Sequence, residues 1–494
     1  MAKFARFCYD GEVMLFCEMP PLIWRRSFKR PTNAFQRRKR RYSTTCHVKG
    51  ISRNRFPRDL RGGKPHHAAR GPARTTLRPY QRQVDLIPRR REPECHSSLS
   101  SVRRPSSYPR STLHRGGCFR RRAPISQDLS PDECAELYQL FFGEHAEGCF
   151  TEAWADQPLN FRAPSSRLSF GLVQLMAGPC GALAPLQASI VKNILWKKFS
   201  FVDPATKLRV SEMDQRNALT LSIVGIIQRA GKDKKKCHYV TGKISATDVG
   251  PEIFSPLTNN IIDRRDLERF VRDNLNQIMN DGITNLVISA VLTRGMENVR
   301  TDMAIEGASL LNVGERENGK ARMNTAQETV NLLLTGRAVG GVFNAGAHDD
   351  GVLNGIHEQS ECGFLTYMET AYPDDARVGS YLKRPKYPIW VVNTYSHYTV
   401  LFGTDLRLVT MSARELDSQW NLYRYDQFVK TADMAISTYE IDFLAGSKAY
   451  RRRSNQSPDD VKDCIKTMWP SVRIRLLGPG DCEFTGRLEC CPTM

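Results

Sequence analysis

The sequence predicts an α+β fold for most of the chain. Apolar residues at helical spacing dominate its middle part, whereas the runs typical of strands gather late, at 389–392, 398–402 and Gln419–Tyr425. Helices followed by strands favour α+β architecture over alternating βαβ units. With 40% hydrophobic and 25% charged residues among 494, the composition is that of a globular protein, which excludes a wholly disordered chain, a collagen and a small disulfide scaffold.

The individual elements follow from periodicity and from breakers. Pro131 opens the first predicted helix with Asp132 and Glu133 in its first turn, where the helix dipole favours acids. Gly178 and Pro179 separate a predicted strand from an apolar helix. The remaining predicted elements are helices at 217–228, 264–279 and 324–338 and strands at 168–175 and 238–242.

Residues 1–125 differ in composition from the rest of the chain. They contain 31 Lys and Arg against 7 Asp and Glu, so the net charge of +20 belongs to this segment, and the remainder is slightly acidic. The segment is rich in Arg, Pro and Ser and lacks apolar periodicity, so we predict a disordered basic tail in front of one folded domain, 126–494. A solvated tail is favoured over a nuclear-localisation or nucleic-acid-binding patch at 37–41.

The cysteines and the first residues indicate an intracellular protein. The fourteen cysteines are irregularly spaced, which suggests reduced thiols. Asp10, Glu12 and Glu18 interrupt the first stretch and argue against a secretory signal, and no apolar run is long enough to span a membrane. We expect a cytoplasmic protein, with a nuclear location as the alternative. No CxxC occurs, and we expect neither zinc nor another cofactor.

A candidate nucleophile lies at the start of the helix that follows Gly178 and Pro179. Cys180 occupies the N-terminus of that helix, where the dipole and the unpaired N–H groups favour a thiolate. Gln174 lies six residues earlier, so its amide and the backbone N–H of Cys180 together could form an oxyanion hole. The alternative is that Cys180 is a small buried hydrophobic residue, which is the commoner role of cysteine.

A candidate base comes from the late strands. His397 enters the second strand of a predicted hairpin, and a cysteine on a helix with a histidine far downstream on a strand is the arrangement of papain-like thiol hydrolases. Thr399 and Leu401 would share a face with His397, so a core histidine is the alternative. The acid that would orient His397 stays open, because Asp405 and Asp426 are only nearby in sequence.

Several blocks resemble the MINDY deubiquitinases, especially their longer-chain branch. The active-site block is GLVQLMAGPCGALAPLQ, residues 171–187. The others follow in the family's order and span roughly 165–475: LLTGRAV at 333–339 with Val342-Phe343-Asn344, GFLT at 363–366, PIWVV at 388–392, Ser396-His397-Tyr398, and CIKTMWP at 464–470. The basic tail shows no such resemblance.

The resemblance implies a papain-like cysteine isopeptidase. Cys180 occupies the nucleophile position, His397 the general base and Gln174 the oxyanion donor. The family cleaves the isopeptide bond after the C-terminal glycine of ubiquitin and prefers lysine-48-linked chains, so the expected partners are polyubiquitin and ubiquitylated proteins. Some members lack the cysteine and are inactive, whereas this chain keeps all three positions. Pro185, five residues after Cys180, is expected to remove one helical hydrogen bond.

Other motifs favour structural interpretations. Gly314 to Lys320 approaches a P-loop, but Ala321 stands where Ser or Thr must bind magnesium. His348 and His357, with the neighbouring acids Asp349, Asp350 and Glu358, lie in a Gly- and Asn-rich stretch without metal-ligand spacing. Lys232 to Lys236 is expected to be an exposed turn. The alternative to an enzyme is a catalytically inactive ubiquitin-binding scaffold of the same fold; RNA binding by the tail is a weaker hypothesis.

Overall fold

A computed structural model of the chain describes the segments 4–9, 12–17, 123–143, 149–197, 208–246, 258–317, 320–346, 353–373, 376–395, 397–416, 418–444 and 460–478. The chain divides into two units, residues 1–111 and 112–494. Within the described segments, no helix combines the length and the apolar character needed to cross a membrane.

The first unit contains an antiparallel pair of strands, β1 (Phe4–Tyr9) and β2 (Glu12–Cys17). These two strands lie within residues 1–125, the segment for which disorder is predicted. Asp10-Gly11 separates them in the sequence, and this dipeptide between apolar runs is a strong hairpin signal. The rest of the segment up to residue 122 lies outside the described residues, and disorder there stays a prediction.

The second unit combines helices and strands, which confirms the predicted α+β class. Its strands are β3 (Ile125–Asp128), β4 (Lys236–Thr241), β5 (Thr258–Asp263), β6 (Leu311–Glu317), β7 (Lys320–Thr325), β8 (Gly363–Thr366), β9 (Ile389–Thr394), β10 (His397–Phe402), β11 (Gln419–Tyr425), β12 (Ile436–Asp442) and β13 (Arg473–Leu476). Its helices are α1 (Pro131–Phe142), α2 (Glu152–Ala155), α3 (Cys180–Lys192), α4 (Glu212–Ala230), α5 (Leu267–Asp273), α6 (Leu275–Arg294), α7 (Met296–Met303), α8 (Gln327–Thr335), α9 (Met368–Ala371), α10 (Ser380–Lys383), α11 (Arg407–Thr410) and α12 (Asp460–Met468).

A six-stranded sheet forms one layer of this unit, in the order β13-β12-β11-β10-β9-β8. All neighbours are antiparallel except β8 and β9, which are parallel. The three late strands that the sequence predicts are thus confirmed as β9, β10 and β11. In the β9–β10 hairpin Thr394 pairs with His397, so the hairpin turn lies next to the histidine.

Helix α3 is the centre of the other layer. All thirteen of its residues are buried, and the chain continues from it into a π-helical turn, Asn193–Lys197. The helix packs against β9 and β10 on the sheet and against α4 and α8 among the helices. Since apolar residues face every side of α3, it behaves as a core helix rather than as an amphipathic surface helix.

Two smaller β structures flank these layers. A three-stranded antiparallel sheet has the order β3-β5-β4, and the strand predicted at 238–242 is confirmed as β4. Strands β6 and β7 form an antiparallel hairpin. The P-loop-like run from Gly314 to Lys320 enters this hairpin, whereas a P-loop needs a strand followed directly by a helix. Nucleotide binding there finds no support in the backbone.

Some predicted elements have different limits. The helix predicted at 264–279 is divided into α5 and α6 at Asn274, whose side-chain Nδ2 donates to the carbonyl of Phe270 at 2.8 Å. The helix predicted at 324–338 is the shorter α8, which ends at Gly336 with φ +84°. The helices predicted from Pro131 and at 217–228 are confirmed as α1 and the longer α4.

The strand predicted at 168–175 is wrong. Its apolar residues Leu168, Phe170 and Leu172 are buried, but the backbone forms turns up to Phe170 and then only one isolated bridge, between Leu172 and Phe161. Ser169 is buried as well, so burial here does not alternate, and hydrogen bonds of turns and loops replace a sheet ladder.

Candidate active site

The turn before α3 places Cys180 at the first residue of the helix. Gly178 has φ +134°, and a Cβ at this position would lie 2.8 Å from the carbonyl oxygen of Met323. The indole Nε1 of Trp154 donates to that same carbonyl at 3.0 Å. The glycine is thus required by both its backbone conformation and its surroundings. The result is a thiol at a helix N-terminus, where orphan N–H groups and the helix dipole favour negative charge.

Helix α3 continues through Pro185. A proline lacks the N–H that would bond one turn back, yet the helix extends to Lys192. Farther along, buried Gln187 accepts from the backbone N–H of Leu172 at 2.6 Å and donates to the carbonyl of Phe170 at 3.2 Å. The side-chain amide of Gln187 thus connects α3, which carries Cys180, to the backbone just before Gln174.

Gln174 is buried beside the same turn. Its side-chain Nε2 donates to the carbonyl of Met176 at 2.7 Å, and its backbone N–H donates to the carbonyl of Gln427 at 2.9 Å. Gln157 supports the next residue, because its Oε1 accepts from the N–H of Leu175 at 2.8 Å. One of the two side-chain N–H groups of Gln174 is therefore used in the hydrogen bond to Met176. The second N–H group can donate to another acceptor.

His397 is the first residue of β10, and its side chain is 29% exposed. The imidazole forms hydrogen bonds with both Cys180 and Asp426. Its Nε2 lies 3.0 Å from Oδ1 of Asp426, so Nδ1 is the ring nitrogen left to face the thiol. The structure brings together Cys180 and His397, which lie more than 200 positions apart in the chain.

Asp426 is the acid that the sequence left open. Its Oδ1 also accepts from the backbone N–H of Phe428 at 3.0 Å, and Nη2 of Arg424 lies 3.3 Å from its Oδ2. Asp405 serves elsewhere, because its Oδ2 lies 2.7 Å from Nη2 of Arg407. Of the two candidate acids, Asp426 alone contacts the histidine.

The charges of this group reinforce one another. Burial by itself would lower the pKa of His397, but the hydrogen bonds to Asp426 and Cys180 outweigh burial and raise the pKa to about 10. Burial would raise the pKa of Asp426, whereas the hydrogen bond to His397 and the charges of His397 and Arg424 lower it to about 2. At neutral pH the favoured state is an imidazolium held against a carboxylate.

A sequence signal for Asp426 existed. The residue directly follows β11, which the sequence predicts, and β11 runs antiparallel to β10. In an antiparallel pair the end of one strand lies beside the start of the other. Asp426 therefore had to lie near His397 once those two strands were assumed to be neighbours. The supporting amides of Gln157 and Gln187 carried no comparable signal.

The other candidate motifs do not join this site. His357 and Glu358 are exposed, and Glu358 pairs with Lys232 in the turn that the sequence predicts to be exposed. His348, Asp349 and Asp350 lie outside the described residues. Within the described part of the chain, no three His, Cys, Asp or Glu side chains are placed to hold a metal ion.

A second buried cysteine lies at the other end of α3. Cys362 precedes β8 and lies close to the charged group formed by Lys192, Glu361 and Arg229. Lys192 Nζ and Arg229 Nη1 each lie 2.8 Å from Oε2 of Glu361. Burial raises the pKa of Cys362 to about 11, although the two cations act in the opposite direction.

Comparison with known proteins identifies relatives for most of the second unit. Residues 138–478 match the family model described as "Deubiquitinating enzyme MINDY-3/4, conserved domain". The chain is 30% identical over 372 residues to "Probable ubiquitin carboxyl-terminal hydrolase MINDY-4" of Mus musculus, which covers 72% of this chain and 47% of that protein. The Xenopus tropicalis protein of the same name is 29% identical over 363 residues, covering 69% and 45%.

A third relative carries a different name. The chain is 29% identical over 289 residues to "Ubiquitin carboxyl-terminal hydrolase MINDY-3" of Homo sapiens, which covers 52% of this chain and 62% of that protein. The chain spans about half the length of the MINDY-4 relatives it matches. No solved structure shows significant similarity to it.

Proposed function

The chain belongs to the MINDY-3/4 family of deubiquitinating enzymes, as its sequence blocks predict, and we propose that it is a thiol isopeptidase that hydrolyses polyubiquitin. The observation that carries the proposal is the connected group of Cys180, His397 and Asp426. A nucleophile, a base and an acid that orients the base are the parts that cysteine hydrolases require.

The reaction follows from the positions of these groups. His397 takes the proton of Cys180, and the thiolate attacks the carbonyl carbon of the isopeptide bond after the terminal glycine of ubiquitin. The second N–H of the Gln174 amide and the backbone N–H of Cys180 stabilise the oxyanion. His397 then donates its proton to the departing lysine amine, and a thioester remains on Cys180. His397 next takes a proton from water and keeps it as the imidazolium. The hydroxide attacks the thioester carbonyl, the Cys180 thiolate leaves, and the carboxylic acid of ubiquitin loses its own proton to solvent.

Asp426 is a positioning residue in this proposal. Its contact with Nε2 of His397 fixes the orientation of the ring and stabilises the imidazolium that each turnover requires. Arg424 holds the carboxylate in turn, and its Nε donates to Oγ1 of Thr399 at 3.1 Å. The orientation of the imidazole is therefore fixed by two neighbouring strands, β10 and β11.

The papain-like arrangement is part of the proposal. Its support is a cysteine at the N-terminus of a buried helix, with a histidine on an antiparallel sheet that packs against that helix. The preference for lysine-48-linked chains comes from the family resemblance. Polyubiquitin and ubiquitylated proteins are the proposed partners, and any nucleic-acid binding is assigned to the basic tail.

Cleavage of defined chains tests the proposal. The full chain, Cys180→Ala and the matched control Cys362→Ala are incubated with lysine-48-linked and lysine-63-linked tetraubiquitin. We expect the parent and Cys362→Ala to cleave the lysine-48-linked chain faster, and Cys180→Ala to cleave neither. If the parent cleaves neither chain but retains ubiquitin binding, the protein is a ubiquitin-binding scaffold. Equal cleavage of both chains contradicts only the linkage preference.

A further inference from the structure

The turn beside His397 holds a tyrosine in an unusual backbone conformation. Thr394 and His397 are paired in the β9–β10 hairpin, so Tyr395 is the first residue of a two-residue turn. Its φ is +58°, in the left-handed region. Two-residue hairpin turns of this kind normally use asparagine or glycine, and the left-handed conformation costs other residues about 1–2 kcal/mol. The side chain of Tyr395 nevertheless contributes little to the core, because the residue is 54% exposed.

A second tyrosine lies against it. Tyr367 follows β8, and its backbone N–H donates to the carbonyl of Asn393 at 2.9 Å. The ring centroids of Tyr367 and Tyr395 are 5.0 Å apart, with 35° between the ring planes. Met368, the next residue, is also exposed. The edge of the sheet that carries His397 thus ends in an aromatic pair, in which Tyr395 is exposed and Tyr367 is partly buried; we call it the tyrosine pair.

The chemistry of the proposed reaction distinguishes two sides of the Cys180 thiol. The general acid must lie within hydrogen-bond reach of the nitrogen that it protonates. The leaving lysine therefore lies on the side of His397, whereas the carbonyl oxygen lies on the side of Gln174. Tyr395 is two residues from His397, the proposed general acid.

We propose that the tyrosine pair binds the leaving-group side of the substrate, namely the lysine side chain and the residues that flank it in the acceptor protein. This inference rests on the proposed isopeptidase function and extends it to a specificity site. Tyrosine rings offer flat, rigid apolar faces to the lysine methylenes at a low cost in side-chain entropy. They also attract cationic side chains near the acceptor lysine.

The test compares two substrates that share the acyl group. One is ubiquitin joined to a small fluorogenic amine, and the other is ubiquitin joined by an isopeptide bond to the lysine of a labelled peptide. The quantity measured is the ratio of kcat/KM for the lysine substrate to kcat/KM for the fluorogenic substrate. Tyr395→Asn removes the ring but suits the left-handed turn, and we expect this ratio to fall about tenfold, in line with the loss of one well-packed aromatic contact.

Three further variants separate the ring from the turn. Tyr395→Phe keeps an aromatic face and is expected to retain most of the parent's kcat/KM ratio. Tyr367→Leu removes the other ring and is expected to lower that ratio. Met213→Ala removes an exposed apolar side chain on α4, outside the sheet, and serves as the matched control that keeps the parent ratio. Thermal unfolding of each variant shows whether the fold is retained.

The outcomes distinguish the two proposals. If the parent hydrolyses both substrates and neither Tyr395→Asn nor Tyr367→Leu changes the ratio, the tyrosine pair is not a leaving-group site and the isopeptidase assignment stands. An equal fall for both substrates also overturns the inference, because the turn then acts through His397. If the parent hydrolyses neither substrate, the isopeptidase proposal fails, and the inference fails with it.

Discussion

Cys180 and Cys362 are both 5% exposed, and they lie near opposite ends of α3, yet different groups surround the two thiols. At Cys362, Lys192 and Arg229 provide positive charge, but Glu361 accepts both cations at 2.8 Å. Burial then dominates and raises the pKa of Cys362 to about 11. Nearby cations alone do not activate a buried cysteine when they already have an anionic partner.

At Cys180 the order of the groups is different. The thiol lies at a helix N-terminus, and its hydrogen-bond partner is His397, which itself contacts Asp426. The carboxylate of Asp426 lies on the side of the imidazole away from the thiol. In that position it stabilises the imidazolium of His397, and the imidazolium can still pair with the Cys180 thiolate. Under the proposed function, a proton acceptor with its own carboxylate is what distinguishes Cys180 from Cys362.

The largest expected effect on activity comes from replacing Cys180 by alanine, with the separate replacement of Cys362 as the comparison. Cys180→Ala removes the nucleophile and is expected to lower kcat/KM for ubiquitin cleavage by at least about 10⁴-fold. Cys362→Ala removes a thiol that we assign to the core, and its kcat/KM is expected to stay within about twofold of the parent value. Steady-state hydrolysis of a fluorogenic ubiquitin substrate measures both. A large loss in Cys362→Ala with a retained fold would reverse the assignment.

Next in size is the effect of the acid behind His397. Asp426→Asn keeps the shape of the side chain but removes its charge, and kcat/KM is expected to fall about 10³-fold. Because Asp426 raises the pKa of His397, the alkaline limb of the pH–rate profile is expected to move to lower pH in the variant. Asp405→Asn, on the carboxylate that pairs with Arg407, is the matched control. An unshifted alkaline limb in Asp426→Asn would contradict the proposed role.

The same pair makes stability depend on pH in a defined direction. His397 has an ordinary pKa of 6.5 and is raised to about 10 in the fold, so its stabilisation is complete below 6.5 and is lost as the pH rises through about 10. Asp426 is lowered from 3.8 to about 2, so its stabilisation is present above 3.8 and is lost as the pH falls through about 2. Denaturant unfolding across this range should show both losses diminished in Asp426→Asn.

A smaller effect on the reaction is expected at the oxyanion donor. Gln174→Ala removes one side-chain N–H from the proposed oxyanion hole and should lower kcat by about 10²-fold, with little change in KM. Gln174→Glu, which keeps the size but replaces the donor with an acceptor, should be at least as slow. A variant that changed KM alone would indicate a role for Gln174 in binding the substrate instead.

The smallest effect on the reaction is expected at the far end of α3. Glu361→Gln leaves the buried Lys192 without a carboxylate, and we expect the free energy of unfolding to fall by about 2 kcal/mol. This loss is smaller than the ~3–5 kcal/mol expected for a fully buried ion pair, because the Glu361 side chain is 34% exposed. Lys192→Met should cost less, about 1 kcal/mol, since Glu361 keeps Arg229. Chemical denaturation measures both, while kcat per folded molecule should stay near the parent value.

The parts of the site that the sequence predicts are those with local signals. Gly178 and Pro179 mark the start of α3 at Cys180, and short, nearly continuous apolar runs mark the strands around His397. Asp426 was not assigned because its role depends on which strands are neighbours, and a single sequence does not state that directly. The wrongly predicted strand before Gln174 shows a related limit, since a short apolar segment can also form buried turns that bond to α3 through Gln187.

The most direct test of the central claim is to find which cysteine of the full chain reacts with ubiquitin that carries a C-terminal electrophile. The folded protein is incubated with this probe at neutral pH, and the adduct is mapped by peptide mass spectrometry. The account predicts one ubiquitin per chain, attached to Cys180 and absent from Cys180→Ala, with Cys362 unmodified until the protein is unfolded. An adduct on Cys362 or another cysteine, or no adduct on the folded protein, would contradict the assignment of Cys180 as the nucleophile.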